Sequence, residues 1–236
     1  MPQELRQHQE WVFDLDNTLY PASFDLFAQI DVRMTEFVAS TLSLSKEAAR
    51  KIQKQYYAEY GTTLAGLMKE HNLKPNAFLD YVHDIDHSPL PSCDVFRARI
   101  EALPGRKFVF TNGSRGHAEG VTESMGLAGV FDGMFGIEDT GFQPKPSPAA
   151  FDRFTTTFDI DPVRAVFFED LSRNLAPAKS IGFTTVLVHS DKDWSHEPAD
   201  ARPAGAQDGL DDHVDYATDD LQGFLESVLG INDPSN

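Results

Sequence analysis

The 236-residue sequence has one cysteine, Cys93, so no disulfide can form within the chain, and a reducing cytoplasm is its expected home. No neighbouring residue marks Cys93 as a reactive thiolate. No run approaches the roughly 18 apolar residues of a membrane span, and the polar, mixed-charge start lacks the basic and then apolar stretches of a secretory leader. Basic residues are scarce: 20 Lys and Arg stand against 37 Asp and Glu, a formal net charge of −17. That excess repels a nucleic acid polymer and leaves no basic patch to grip one. Its simplest use is a solvated, repulsive surface. Metal-ligating spacing is missing among the eight histidines, and so are internal repeats and polar low-complexity tracts. The expected molecule is soluble, without a membrane or nucleic acid partner, and either a monomer or a homodimer.

What is present is enough apolar content, 41%, to bury a sizeable core. Four short apolar runs stand out: Trp11-Val12-Phe13 before Asp14, Phe108-Val109-Phe110 before Thr111, Ala165-Val166-Phe167-Phe168 before Glu169, and Thr184 to Val188 after Gly182. Apolar residues at successive rather than alternating positions fit strands buried on both faces, as in a parallel sheet. Helical periods are expected over 117–125, closed by Gly126, over 147–157 from Ser147-Pro148, and over 171–181, with Pro177 inside it. An amphipathic helix carrying Leu221, Phe224, Leu225, Val228 and Leu229 closes the chain. Strands alternating with helices predict an α/β fold, a Rossmann-like parallel sheet flanked by helices.

Between the first two strands that alternation breaks. Residues 24–40, 45–60, 62–71 and 75–84 all read as helix, which predicts a small helical cap over 21–100, inserted into a core made of 1–20 and 101–236. His83 and His87, four apart near Asp84, Asp86 and Pro89, read as a solvated helix end. Residues 190–217 read as one long surface loop.

Three strands end in polar residues: Asp14 with Asp16, Thr111 with Asn112, and Glu169 with Asp170. Ligands of open α/β sheets bind beyond the carboxyl ends of the strands, so these groups are expected in one crevice. Carboxylates that close repel one another unless a cation neutralises them. Oxygen ligands without a Cys or His cluster favour magnesium. Lys145 adds a fixed positive charge, and Thr111-Asn112-Gly113 adds a hydroxyl and main-chain donors suited to phosphate oxygens. An aspartate can attack phosphorus while a second acid protonates the departing alcohol and then activates water. Singly, each motif reads equally as a turn or a helix cap; the ordered set points to a small phosphorylated metabolite as substrate.

The set resembles the haloacid dehalogenase superfamily of phosphohydrolases, through Asp14-Leu15-Asp16-Asn17-Thr18-Leu19, Thr111-Asn112-Gly113, Lys145-Pro146 and Glu169-Asp170-Leu171-Ser172-Arg173-Asn174. The resemblance implies Asp14 as nucleophile and metal ligand, and Asp16 as general acid/base with its carbonyl on Mg2+. It implies Thr111, Asn112 and Gly113 as phosphate-binding residues, Lys145 as the charge clamp, and Asp170 as a further ligand. Glu169 is implied as a ligand, directly or through water, and Asn174 as support for the loop. Asn17-Thr18-Leu19-Tyr20 and Gly113-Ser114-Arg115-Gly116-His117-Ala118 are similar to the pyrimidine 5′-nucleotidase branch, which implies a nucleoside 5′-monophosphate. Tyr20 and Arg115, flanking the first two motifs, are the candidate substrate contacts; Phe24 reads as core and His117 as the start of a helix. A phosphatase of another metabolite, a sugar-phosphate mutase and a non-catalytic regulator are the alternative readings.

Overall fold

A computed structural model describes residues 2–195, 202–203 and 210–231 of the chain. Six parallel strands form one sheet: β1 (Glu10–Phe13), β2 (Arg106–Phe110), β3 (Gly133–Phe135), β4 (Ala165–Glu169), β5 (Thr184–Val188) and β6 (Tyr216–Thr218). Their spatial order is β3-β2-β1-β4-β5-β6. Every residue of β1 and β4 is buried, as the unbroken apolar runs require of central strands. Alternate residues serve opposite faces. Trp11, Phe13, Val109, Val166, Phe168 and Val186 belong to one core cluster. Val12, Phe108, Phe110, Phe167 and Leu187 belong to the other.

Helices cover both faces, so the fold is the expected Rossmann-like α/β sandwich. On the first face lie α5 (Asp94–Ala102), α6 (Arg115–Ser124) and α9 (Leu221–Leu229), contributing Phe96, Ile100, Val121, Phe224 and Leu225. On the second lie α7 (Pro148–Phe158) and α8 (Ser172–Ser180), contributing Phe151, Phe154, Leu175 and Ala178. Phenylalanine dominates the second face. Phe154 stacks on Phe110 at 4.7 Å and meets Phe108 and Phe135 edge-on, each such pair contributing about 0.5–1.5 kcal/mol beyond its area.

Four helices follow β1: α1 (Leu26–Leu42), α2 (Lys46–Tyr60), α3 (Thr63–His71) and α4 (Pro75–Val82). The expected starts near 45 and 62 are explained by capping, since Ser45 Oγ accepts from Ala48 N at 3.3 Å and Thr62 Oγ1 from Ala65 N at 3.1 Å. These helices share their own cluster of Ile30, Val38, Leu67, Phe78, Leu79 and Val82. A Cβ on Gly66 would lie 2.4 Å from the Tyr56 side chain, so only glycine lets α3 approach α2 this closely.

Two local expectations need correction. Residues 190–217 are not all loop: the described part ends in β6, which pairs with β5, while residues 196–201 and 204–209 lie outside the described residues. Strands β3 and β6 have three residues each, too few to show a period. Helix α4 stops at Val82, and His83 and His87 turn inward. No helix among the described residues is long and apolar enough to cross a membrane.

Candidate active site

Strand order reverses between β1 and β4, and the crevice at such a reversal is where open α/β sheets take ligands. Asp14 is the first residue past β1, and its N–H continues the ladder to Phe168 O at 2.9 Å. Beside it, β4 delivers Glu169 and then Asp170. On the other side Thr111 leaves β2, with its N–H on Phe135 O at 3.0 Å. Leu15 and Leu19 are buried, anchoring the turn that carries Asp14 and Asp16. Asn17, at φ 60°, makes the reversal and reaches Asp170 Oδ2 at 3.4 Å.

Lys145 comes from the loop before α7. Its side chain is 1% exposed, and its ammonium donates to Asp14 Oδ1 at 2.7 Å, Glu169 Oε2 at 2.7 Å and Phe110 O at 2.8 Å. The rings of Phe110 and Phe167 lie 5.1 and 5.2 Å from it. Burial favours the neutral amine, but Asp14 and Glu169 override it and raise the Lys145 pKa. The amide of Asn112 fixes this lysine: Oδ1 accepts from Lys145 N at 2.8 Å and Nδ2 donates to Lys145 O at 3.1 Å.

Asp14, Glu169 and Asp170 are all buried, and each offers a carboxylate oxygen within 4.8 Å of the others. One ammonium does not balance three carboxylates. Burial, with the charge of Glu169, pushes Asp14 up to about 8 even though Lys145 pulls down. Burial and then Glu169 and Asp14 likewise push Asp170 well above the usual range. Groups that prefer a proton in the metal-free fold are those a cation would relieve, and this all-oxygen set fits a hard divalent ion.

Asp16 is engaged differently. Its Oδ1 accepts from Tyr20 Oη at 2.5 Å and from His117 Nε2 at 2.9 Å, and its carboxylate lies outside the three-acid group. Burial would raise the Asp16 pKa, but His117 first, then Tyr20 and His83, hold it below the usual value.

The structure brings Asp14, Asp16, Thr111, Asn112, Gly113, Lys145, Glu169 and Asp170 to one cavity. Tyr20, fully buried, reaches it only through Asp16. Arg115 does not line the cavity; its guanidinium pairs with Asp139 at 2.5 Å. Phe24 packs against the core of the first sheet face.

Sequence reasoning missed His117. Ser114 caps α6 by accepting from His117 N at 3.1 Å, which places this imidazole in the first turn, over the strand ends. The legible signal was a polar ring three residues past an N-cap that directly follows a strand-end turn.

That cavity, about 140 Å³ in all, extends from the strand ends to α1–α4. Phe27, Ile30, Phe78, Leu79, Val82 and Ile137 line its far part, where Asp31, Gln53 and Lys54 form one polar group beside Tyr57, Thr62, Thr63 and His83. Asp31 accepts from Lys54 Nζ and Gln53 Nε2 at 2.7 Å each, and from Arg50 at 2.8 Å.

A family model, haloacid dehalogenase-like hydrolase, matches residues 12–182, which contain all these groups. The chain belongs to this family. Phosphate metabolism protein 8 of Saccharomyces cerevisiae is 29% identical over 205 residues, 78% of this chain and 62% of that protein. Enolase-phosphatase E1 of Frankia alni is 45% identical over 67 residues, 28% of each chain. The chain thus spans less than two thirds of either relative's length. Among solved structures, a HAD phosphatase from Thermococcus onnurineus superposes with TM-score 0.60 at 18% identity, over 94% of this chain and 98% of that one. The Bacillus subtilis HAD-hydrolase YfnB, bound to magnesium, gives 0.61 at 16% identity, over 95% and 100%. At such identities these structures establish the shared fold.

Proposed function

We propose that this haloacid dehalogenase-like hydrolase is a magnesium-dependent phosphomonoesterase that works through a phosphoryl group carried on Asp14. Its proposed substrate class is a nucleoside 5′-monophosphate, with other small phosphorylated metabolites as the alternative. The observation that carries this reading is Lys145 held between Asp14 and Glu169, with Asp170 and Thr111 facing the same cavity. The word phosphatase in the name of the Frankia alni relative supports it.

In this reading Thr111, the main chain of Asn112 and Gly113, and Lys145 receive the phosphate oxygens. An Asp14 carboxylate oxygen attacks phosphorus as the bond from phosphorus to the alcohol oxygen breaks, and Asp16 gives its proton to that oxygen. Asp16 then takes a proton from water as the water oxygen bonds to phosphorus, which frees phosphate and restores the Asp14 carboxylate. Asp14, Asp170, the Asp16 carbonyl and Glu169 would hold Mg2+, which would supply positive charge beside the transferring group.

Helices α1–α4 are the proposed cap within the 21–100 segment. Their separate core and the cavity beneath them support that role. Helix α5 belongs to the same sequence segment but packs with the sheet, through Phe96 and Ile100. A chamber that mixes apolar walls with polar side chains, Asp31, Gln53, Lys54 and Thr63 among them, suits an organic group with flat faces and a hydrogen-bonding edge, which supports a nucleobase.

The test is phosphate release from a panel of nucleoside monophosphates, sugar phosphates and phosphoglycolate, with magnesium or chelator, and with Asp14→Asn as control. Metal-dependent release that Asp14→Asn abolishes is expected, with UMP or CMP preferred. Release from sugar phosphates alone would keep the chemistry and remove the nucleotide. Silence from folded, magnesium-loaded protein would overturn the reading.

A further inference from the structure

We propose that His117 is a positioning residue for Asp16, and that His83 steadies its ring from the end of α4; this rests on the phosphomonoesterase reading. Both donors on the Asp16 carboxylate, Tyr20 Oη and His117 Nε2, meet the same oxygen, Oδ1. A carboxylate oxygen only accepts, so Nε2 is the donor. The other oxygen, Oδ2, faces the motif turn: a Cβ on Gly113 would lie 3.7 Å from Asp16 Oδ2 and 3.3 Å from Thr111 Oγ1. The two donors thus select which oxygen is spent inside the protein and which is presented beside the phosphate-binding turn. Free rotation of the Asp16 carboxylate would lose that selection.

His117 is held as firmly as it holds. Its side chain is 0% exposed. The His83 ring stacks on it, with centroids 4.4 Å apart and planes 9° apart, and His87 closes a third side at 6.2 Å. His83 is also bonded, Nδ1 to Ser114 Oγ at 2.9 Å, and the same Ser114 hydroxyl caps the helix bearing His117. His83 is the C-cap of α4, directly after Val82. The last turn of α4 therefore lies directly behind the ring that orients Asp16, so the four helices and the acid/base are mechanically joined. Among the described residues the one group of three or more metal-capable side chains is Asp14, Glu169 and Asp170, and the imidazoles do not form such a group.

The experiment compares an alkyl phosphate, whose leaving alcohol needs a proton, with p-nitrophenyl phosphate, whose leaving phenolate needs little help. It uses the full chain and magnesium, and reads kcat/KM, which reports steps up to loss of the alcohol. For His117→Phe, which keeps the ring volume and loses the donor, the alkyl ester should fall about 10- to 100-fold, up to the lower end of the roughly 100- to 10,000-fold that general acid catalysis supplies, and p-nitrophenyl phosphate several-fold less. His117→Gln, whose amide nitrogen takes the place of Nε2, should recover most of the difference. His83→Ala should move the two substrates apart in the same sense, by less. Equal losses on both substrates, or failure of His117→Gln to rescue, would assign His117 a merely structural role and overturn the proposal. Histidine-15N NMR reads the contact without turnover: an exchange-protected Nε2 proton, absent in His117→Gln and shifted in Asp16→Asn, is expected. Its absence would overturn the contact even in a chain that releases no phosphate, and its presence in such a chain would fault only the phosphomonoesterase reading.

Discussion

The Lys145 ammonium and the Asp14 carboxylate form a contact of 2.7 Å inside the protein, where the lysine side chain is 1% exposed. Glu169 shares the same ammonium at 2.7 Å, so removing the lysine leaves both buried acids without their partner. Breaking a buried pair from one side destabilises by about 3–5 kcal/mol. Lys145→Met is therefore expected to lower the melting temperature of metal-free protein and to reduce turnover about 100- to 1,000-fold, as loss of one fixed electrostatic group does. Thermal melts and phosphate release check it; an active, stable Lys145→Met would show that the ammonium is dispensable.

Tyr20 separates packing from positioning. Tyr20→Phe keeps a fully buried ring and removes only the donor to Asp16 Oδ1. A hydrogen bond to a charged group contributes about 1.5–3 kcal/mol, so kcat should fall about 10- to 100-fold with KM little changed. A rise in KM alone would place Tyr20 against substrate instead of against Asp16.

The pH dependence has a defined sign. Asp14 moves from 3.8 to about 8 on folding without metal, so between those values the folded state keeps a proton the unfolded state has lost, and stability falls as pH rises through about 8. His83, lowered by burial and His117 from 6.5 to about 3, acts oppositely, and its contribution is lost as pH falls from 6.5. Metal-free protein should thus melt lower near pH 9 than near pH 6.5. With Asp14 as the proposed magnesium ligand, the ion displaces the Asp14 proton, so the gain in melting temperature it gives should be larger at the higher pH. Equal gains at both pH values would contradict the proton displacement.

The phenylalanine face should dominate stability. Phe154→Ala removes a fully buried ring that meets Phe108, Phe110, Phe135 and Phe158. Denaturant unfolding should show a loss of about 3–5 kcal/mol. A loss under 1 kcal/mol would mean that the cluster repacks around the gap.

The central strands were legible because burial on both faces demands unbroken apolar runs, and Trp11-Val12-Phe13 and Ala165 to Phe168 supply them. The convergence of the acids and Thr111 on one cavity was legible because strand ends of a parallel sheet share one edge, whereas Lys145 reaches it from the loop before α7 and was legible only through its motif. Strands β3 and β6 were not, since three residues carry no period and their pairing is set by β2 and β5. The histidines escaped for another reason. His83, His87 and His117 meet through tertiary packing, and a spacing of four on a helix end looks the same whether it faces water or a third imidazole.

The central claim is that phosphate rests on Asp14 during turnover. Borohydride reduces an acyl phosphate to an alcohol, so quenching the working, magnesium-loaded protein and mapping its peptides by mass reads the carrier directly. Conversion of Asp14 to homoserine that requires substrate and disappears in Asp14→Asn is the predicted result. Continued phosphate release with Asp14 unmodified, or with another residue converted in its place, would contradict the account.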